Sequence, residues 1–92
     1  MNTIQRMTER LAALSPAHLE IADDSALHAG HAGAKGGGGH YQLTIVSEQF
    51  AGHGTLARHR MIYDRLADMM QKDIHALSIK AATPDEFFST QP

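Results

Sequence analysis

The segment His40–Val46, which reads His-Tyr-Gln-Leu-Thr-Ile-Val, is the strongest indication of the fold in this 92-residue chain. Its apolar residues Tyr41, Leu43 and Ile45 alternate with polar ones. A period of two predicts a strand with one face toward a core and the other toward solvent.

A shorter strand is predicted before it. The segment His18–Ile21 alternates in the same way, with Leu19 and Ile21 on the core face. Residues 25–39 join the two strands and contain six glycines and four alanines. That composition cannot form a core, so we expect a glycine-rich loop between antiparallel neighbours.

A helix is predicted at the beginning of the chain. Its apolar positions follow a spacing of three, four and three residues: Ile4, Met7, Leu11 and Leu14. Such a spacing places them on one helical face. Thr3 is the expected N-cap, and Ser15-Pro16 is expected to end the helix.

A second helix is expected after Gly52-His53-Gly54, with Thr55 as N-cap. Its buried stripe is predicted to contain Ile62, Leu66 and Met69. A third strand, Ile74–Lys80, follows. A strand, helix, strand connection crosses over right-handed and leaves its strands parallel, so we expect a mixed sheet.

Two details of the last third of the chain complete the pattern. Alternation in the third strand predicts that His75, Leu77 and Ile79 share one face. The segment Thr83–Glu86 has the spacing of a capping box with proline at the first helical position, which predicts a short third helix docked by Phe87 and Phe88. The expected class is α+β, with order α-β-β-α-β-α and helices on one face of a three-stranded sheet.

Composition bounds the possible functions. The length suits one domain over residues 1–92, with the last few residues expected to be flexible. No apolar stretch approaches the roughly 20 residues that a bilayer requires, so we expect no membrane association. The absence of cysteine and of an apolar leader predicts a cytoplasmic protein. A formal charge of −2 gives no overall attraction to nucleic acid.

Several segments together resemble the BolA family. They are Phe50-Ala51-Gly52, Leu56, Arg58-His59-Arg60-Met61-Ile62-Tyr63, Leu66 and Ile74-His75-Ala76-Leu77, with His40-Tyr41 ahead of Leu43–Ser47. The likeness runs from about Leu19 to Phe87 and implies a fold like the type II KH domain. The chain departs from the family at Gly36–Gly39, where members often have a glycine-serine-glutamate stretch.

The resemblance also implies a function. BolA-like proteins are partners of monothiol glutaredoxins, with which they share a [2Fe-2S] cluster. The family's ligand positions match His75 and, in the loop, His28, with His31 as the fallback. We therefore expect a non-enzymatic adaptor that shares or helps transfer a cluster in iron-sulfur and iron homeostasis.

The chemistry of these residues agrees with that expectation. Iron-sulfur clusters are normally held by thiolates, but imidazole replaces thiolate on one iron in Rieske centres. A chain without cysteine offers only nitrogen, so the glutaredoxin and its glutathione would supply the sulfur. Alone, the chain is expected to be a monomer without a cluster.

Other interpretations of the same residues remain open. A single histidine at a strand end is more often structural than a metal ligand, and His18, His40 and His53 read as ordinary surface groups. Binding of glutaredoxin without metal would make the same interface purely structural. No nucleophile signature is present, so we expect no catalysis.

The alternative function is a DNA-binding transcriptional regulator of BolA type that uses the second helix. Its candidate residues are Arg58, Arg60, Lys72 and Lys80. Arginine suits phosphate oxygens, and a helix N-terminus favours anions. Gly52-His53-Gly54 lacks the Gly-x-x-Gly spacing with which KH domains grip nucleic acid, which disfavours RNA binding.

Overall fold

The computed structural model describes residues 2–24 and 39–89. The helices are α1 (Thr3–Leu11), α2 (Thr55–Leu66), α3 (Met69–Lys72) and α4 (Pro84–Ser89), and the strands are β1 (His18–Asp23), β2 (Gly39–Val46) and β3 (Ile74–Ala82). Short 3₁₀ turns lie at Ala12–Leu14 and Glu48–Phe50. Among the described residues, no helix is long and apolar enough to cross a membrane.

The sheet has the predicted mixed topology, in the order β1-β2-β3. β1 runs antiparallel to β2, with Leu19 opposite Ile45 and Ile21 opposite Leu43. β3 runs parallel to β2. The α+β class and the mixed three-stranded sheet are thereby confirmed, and the alternating strand β2 lies at the centre of the sheet.

One hydrophobic core joins this sheet to α1 and α2. β2 contributes Tyr41, Leu43 and Ile45, as its alternation predicts. The helices and turns contribute Met7, Leu11, Leu14, Phe50, Ile62, Leu66 and Met69. Both long helices therefore cover the same face of the sheet, which we call the core face, and the opposite face is called the open face.

The start of α1 differs from prediction by one residue. Asn2, not Thr3, is the N-cap: its side chain accepts a hydrogen bond from the Gln5 N–H at 2.8 Å. The Gln5 side chain accepts one from the Asn2 N–H at 3.0 Å, which completes a capping box. Ser15, at φ 50°, ends the 3₁₀ turn that follows.

The predicted stripe Ile62, Leu66 and Met69 is buried, but it is divided between two helices. Ala67 adopts φ 48° and ends α2, so Met69 begins the separate α3. Arg10 of α1 stabilises this break, because its Nη1 donates to the Leu66 carbonyl at 2.7 Å. The N-cap of α2 is Gly54 rather than Thr55.

The prediction that His75 shares a face with Leu77 and Ile79 is wrong, because β3 contains a bulge. Ile74 pairs with Gly39, whereas Ala76 pairs with His40, so His75 is an extra residue in the ladder. An extra residue resets the alternation. Leu77 and Ile79 consequently pack against the core cluster, and His75 is exposed.

Candidate functional site: the two ends of the open sheet face

The open face carries the polar positions of all three strands. They are His18 and Glu20 from β1, His40, Gln42 and Thr44 from β2, and His75, Ser78 and Lys80 from β3. Since β2 and β3 begin at one end of the sheet and β1 begins at the other, this face has two distinct ends. We call them the histidine end (His40 and His75) and the clamped end (His18, Lys80 and Phe87).

At the histidine end, two imidazoles from neighbouring strands lie side by side. The ring centroids of His40 and His75 are 5.1 Å apart, and their planes are inclined by 38°. His75 is exposed and His40 is half-buried. An imidazole that faced the hydrophobic interior would be unavailable to a docking partner, but His75 is accessible on the face that α1 and α2 leave uncovered.

The two loop histidines predicted as ligands, His28 and its fallback His31, lie outside the described residues. Within the described part of the chain, no group of three or more histidine, aspartate or glutamate side chains is placed to hold a metal ion. The ligand assignments therefore stay predictions. The chain itself offers iron a nitrogen donor at His75 and no thiolate.

Sequence reasoning missed His40 as a candidate site residue. The alternation of β2 places it on the polar face, where it reads as an ordinary surface group. Its neighbour across the ladder depends on the register between β2 and β3, and that register includes the bulge. A regular pattern of apolar residues carries no signal for an inserted residue, so only the three-dimensional structure brings His40 and His75 together.

At the clamped end, an aromatic ring from α4 covers the open face. The rings of Phe87 and His18 stack with centroids 5.3 Å apart. The Lys80 ammonium lies 5.5 Å from the Phe87 centroid, a cation–π distance. The predicted docking of Phe87 is thus confirmed, whereas Phe88 is 53% exposed and packs edge-on against Phe87 at 5.2 Å.

The capping box that predicts α4 is present. The Glu86 N–H donates to the Thr83 Oγ1 at 3.2 Å, and the Thr83 N–H donates to the Glu86 carboxylate at 3.1 Å. Proline at position 84 begins the helix, where its missing N–H costs nothing. The same glutamate then has a second role.

Arg58 of α2 holds α4 in place through that glutamate. Its Nη1 and Nη2 donate to the two Glu86 carboxylate oxygens at 2.6 and 2.9 Å, a bidentate ion pair. Its Nη1 also donates to the Ala81 carbonyl at 3.2 Å, and its Nε donates to the His53 carbonyl at 2.7 Å. The guanidinium carbon lies 5.9 Å from the Phe50 ring centroid.

The ion pair shifts the pKa of both of its partners. The hydrogen bonds from Arg58, and after them the one from the Thr83 backbone, lower the pKa of Glu86 to about 2. The hydrogen bond to Glu86 in turn raises the pKa of Arg58 above its ordinary value. Glu86 is therefore ionised throughout the physiological range.

This arrangement bears on the residues predicted for DNA binding. The Arg58 side chain is only 12% exposed and is occupied by Glu86 and two carbonyls. Arg60 in α2 and Lys72 in α3 are exposed. Lys80 in β3 lies on the open face of the sheet, on the side away from α1 and α2. The four cations therefore do not form one basic surface.

Comparison with known proteins agrees with this fold. The family model described as BolA-like protein matches residues 11–86. SufE-like protein 1 of Arabidopsis thaliana is 47% identical over 79% of the chain, and the protein named DNA-binding transcriptional regulator BolA of Escherichia coli is 38% identical over 95% of the chain and 81% of its own length. The solved structure of BolA1 from Arabidopsis thaliana matches with a TM-score of 0.80 and 42% identity, covering 94% of this chain and 96% of that one.

Some of these relatives are longer proteins. The chain spans 21% of the length of SufE-like protein 1 and 56% of the length of the chloroplastic protein BOLA1 of Arabidopsis thaliana. What the matches share is the domain described above, with its three-stranded mixed sheet and its helices. The chain belongs to the BolA family.

Proposed function

We propose that this chain is a non-enzymatic adaptor that binds a monothiol glutaredoxin and shares, or helps to transfer, a [2Fe-2S] cluster. The observation that carries the proposal is the exposed imidazole of His75 on the uncovered face of the sheet. The cytoplasmic location expected from the sequence is part of the same proposal.

The donor set of the chain supports a shared cluster. Because cysteine is absent, the chain can offer iron a nitrogen ligand but no thiolate. In this proposal the His75 imidazole is that ligand, and the glutaredoxin and its glutathione supply the sulfur. The bulge supports the same role, because bulges re-aim side chains next to functional sites. The strand on either side of His75 is hydrogen-bonded to β2, which gives the imidazole a rigid base.

The loop residue His28 is proposed as the second ligand, with His31 as the alternative. Both stand in a segment rich in glycine and alanine, a composition that favours adjustment to a partner during docking. One rigid and one adaptable ligand would let the docked glutaredoxin select the final arrangement.

Reconstitution tests the proposal. The chain is mixed with a monothiol glutaredoxin, iron, sulfide and glutathione, and the absorption and circular dichroism of the complex are recorded. We expect His75→Ala to change both spectra, with His53→Ala, which removes an exposed imidazole in a turn, as the matched control. Spectra of His75→Ala identical to those of the unaltered pair would refute the ligand assignment.

The same mixture separates the remaining alternatives. His28→Ala and His31→Ala, compared one at a time, identify the loop ligand. Complex formation by the two proteins without iron or sulfide, with no cluster formed when both are added, would show that the interface is structural only. That outcome would contradict the adaptor role in cluster transfer.

DNA binding is the second candidate, because the Escherichia coli relative carries that function in its name. The exposed Arg60 and Lys72 are the residues best available for phosphate contacts, since Arg58 is occupied by Glu86. The candidate predicts salt-sensitive binding to a promoter that weakens in Arg60→Ala and Lys72→Ala and is unchanged in His75→Ala. Absence of binding at physiological salt would exclude it.

A further inference from the structure

We propose that His40 and His75 form a two-imidazole site for one divalent transition-metal ion of the Zn²⁺ type, on this chain alone. The site requires neither a glutaredoxin nor a cluster. It uses the one pair of described histidines whose rings meet across neighbouring strands.

The spacing of the two rings fits a single ion. With Zn–N bonds of about 2.1 Å, a ring centroid lies about 3.2 Å from the metal, so two imidazoles on one tetrahedral ion have centroids about 5.2 Å apart. The observed separation of His40 and His75 is 5.1 Å. The spacing of the ring centres is thus compatible with one shared ion, provided that rotation of the side chains turns one nitrogen of each ring toward it.

The backbone holds both ligands in place before an ion arrives. His40 and Ala76 are partners in the parallel ladder, and His75 is the bulged residue beside them. The His40 carbonyl also accepts a hydrogen bond from the Asp24 N–H at 2.7 Å, which ties the β1 end to the same point. Ligands on ordered strands lose little conformational entropy on binding.

The chemistry of the donors defines the ion. Imidazole suits Zn²⁺, Cu²⁺ and Ni²⁺, whereas Mg²⁺ and Ca²⁺ prefer oxygen. The Asp24 carboxylate, whose residue is bonded through its backbone N–H to the His40 carbonyl, accepts a hydrogen bond from the Gln42 side chain. Water would complete the coordination, so we expect an exchangeable ion rather than a structural one.

The site and the proposed cluster share the His75 imidazole, so the ion and the cluster compete for it. His40 separates the two proposals, because only the ion site uses it. Loss of ion binding in His40→Gln with unchanged cluster spectra would leave the adaptor role intact, and unchanged cluster spectra in His75→Ala would leave the ion site intact.

The test is an isothermal calorimetric titration in which Zn²⁺ is added to the isolated chain. We expect one ion per chain at this site and a loss of affinity of at least about tenfold in both His40→Gln and His75→Gln, since the second imidazole of a pair binds at high effective concentration. His53→Gln, in an exposed turn, is the control and should bind as the unaltered chain does.

A second measurement needs no variant. In imidazole ¹H–¹⁵N NMR spectra of the unaltered chain, the ring nitrogens of His40 and His75 should shift together as the first equivalent of Zn²⁺ is added. Movement of only one of the two rings, of neither ring, or of His28 and His31 alone would overturn the proposal. Unaltered affinity in a folded His40→Gln protein would overturn it as well.

Discussion

The two ends of the open face contain similar residues in different surroundings. At the clamped end, the imidazole of His18 is stacked beneath Phe87, and α4 is fastened by the Arg58–Glu86 ion pair. At the histidine end, two imidazoles lie together and His75 is exposed. One end uses its polar groups for stability, whereas the other exposes the imidazole of His75 to solvent.

The comparison shows why residue type alone does not identify a site. Both ends contain a histidine at the beginning of a strand, and only the neighbours distinguish them. His18 has an aromatic ring over it and a carboxylate, that of Glu20, at 3.5 Å. His75 has a second imidazole beside it and an irregular backbone beneath it.

The largest loss of stability is expected when Arg58, which holds α4 at the clamped end, is removed. In Arg58→Ala, the Ala81 and His53 carbonyls and the Glu86 carboxylate all lose a charged donor. Hydrogen bonds to charged groups each contribute about 1.5–3 kcal/mol, and exposure of Glu86 reduces the share of the ion pair. Water can replace the lost donor at these exposed or partly buried acceptors, so we expect the loss to be smaller than the sum of the bonds. The free energy of unfolding measured by urea denaturation should fall by about 2 kcal/mol.

A matched change two residues along α2 provides the control. Arg60 is exposed, so Arg60→Ala should alter the free energy of unfolding by no more than about 0.5 kcal/mol. Equal losses in the two variants would show that the loss comes from general helix effects and that the Arg58–Glu86 ion pair, which we call the clamp, contributes nothing.

Acid should weaken the clamp by a smaller amount. The pKa of Glu86 is about 2 in the folded chain against an ordinary value of 4.5. A depressed pKa contributes stability that is fully present above pH 4.5 and is lost as the pH falls from 4.5 toward 2. We expect Glu86→Gln to be less stable than the unaltered chain at pH 7, and the two stabilities to converge as the pH approaches 2.

The neighbouring acid tests whether this titration belongs to the clamp. Asp85 precedes Glu86 in the first turn of α4 but takes no part in the hydrogen bonds from Arg58. The free energy of unfolding of Asp85→Asn should still fall as the pH is lowered from 4.5 toward 2, as it does in the unaltered chain. If the free energy of unfolding of Glu86→Gln falls by the same amount over this range, another carboxylate is responsible.

Much of the fold follows from local patterns because each pattern has a local physical cause. The alternation of β2 reports a face that is buried and a face that is not, and Thr83–Glu86 contains both halves of a capping box. The break at Ala67 is different. There the Leu66 carbonyl accepts a hydrogen bond from Arg10, which is 56 residues away in sequence, so the contact at the break is not a local one.

The candidate site divides in the same way. His75 is recognisable because its sequence context resembles a family, and its exposure agrees with a docking role. His40 and the partner of Arg58 are set by tertiary register and packing, which carry no periodic signal in the sequence. The sequence therefore indicates His75 and Arg58, whereas the structure is needed to place His40 beside the one and Glu86 beside the other.

The smallest effect on stability is expected at the histidine end. His75 is exposed and stands at a bulge, where its side chain fills no part of the hydrophobic core. We expect His75→Ala to change the free energy of unfolding by no more than about 0.5 kcal/mol in the same urea experiment. A loss as large as that of Arg58→Ala would mean that His75 supports the sheet, and any change in its cluster spectra would then have to be attributed to altered folding. A small loss would instead separate chemistry from stability, because the residue whose removal matters least to the fold would be the one on which metal binding depends.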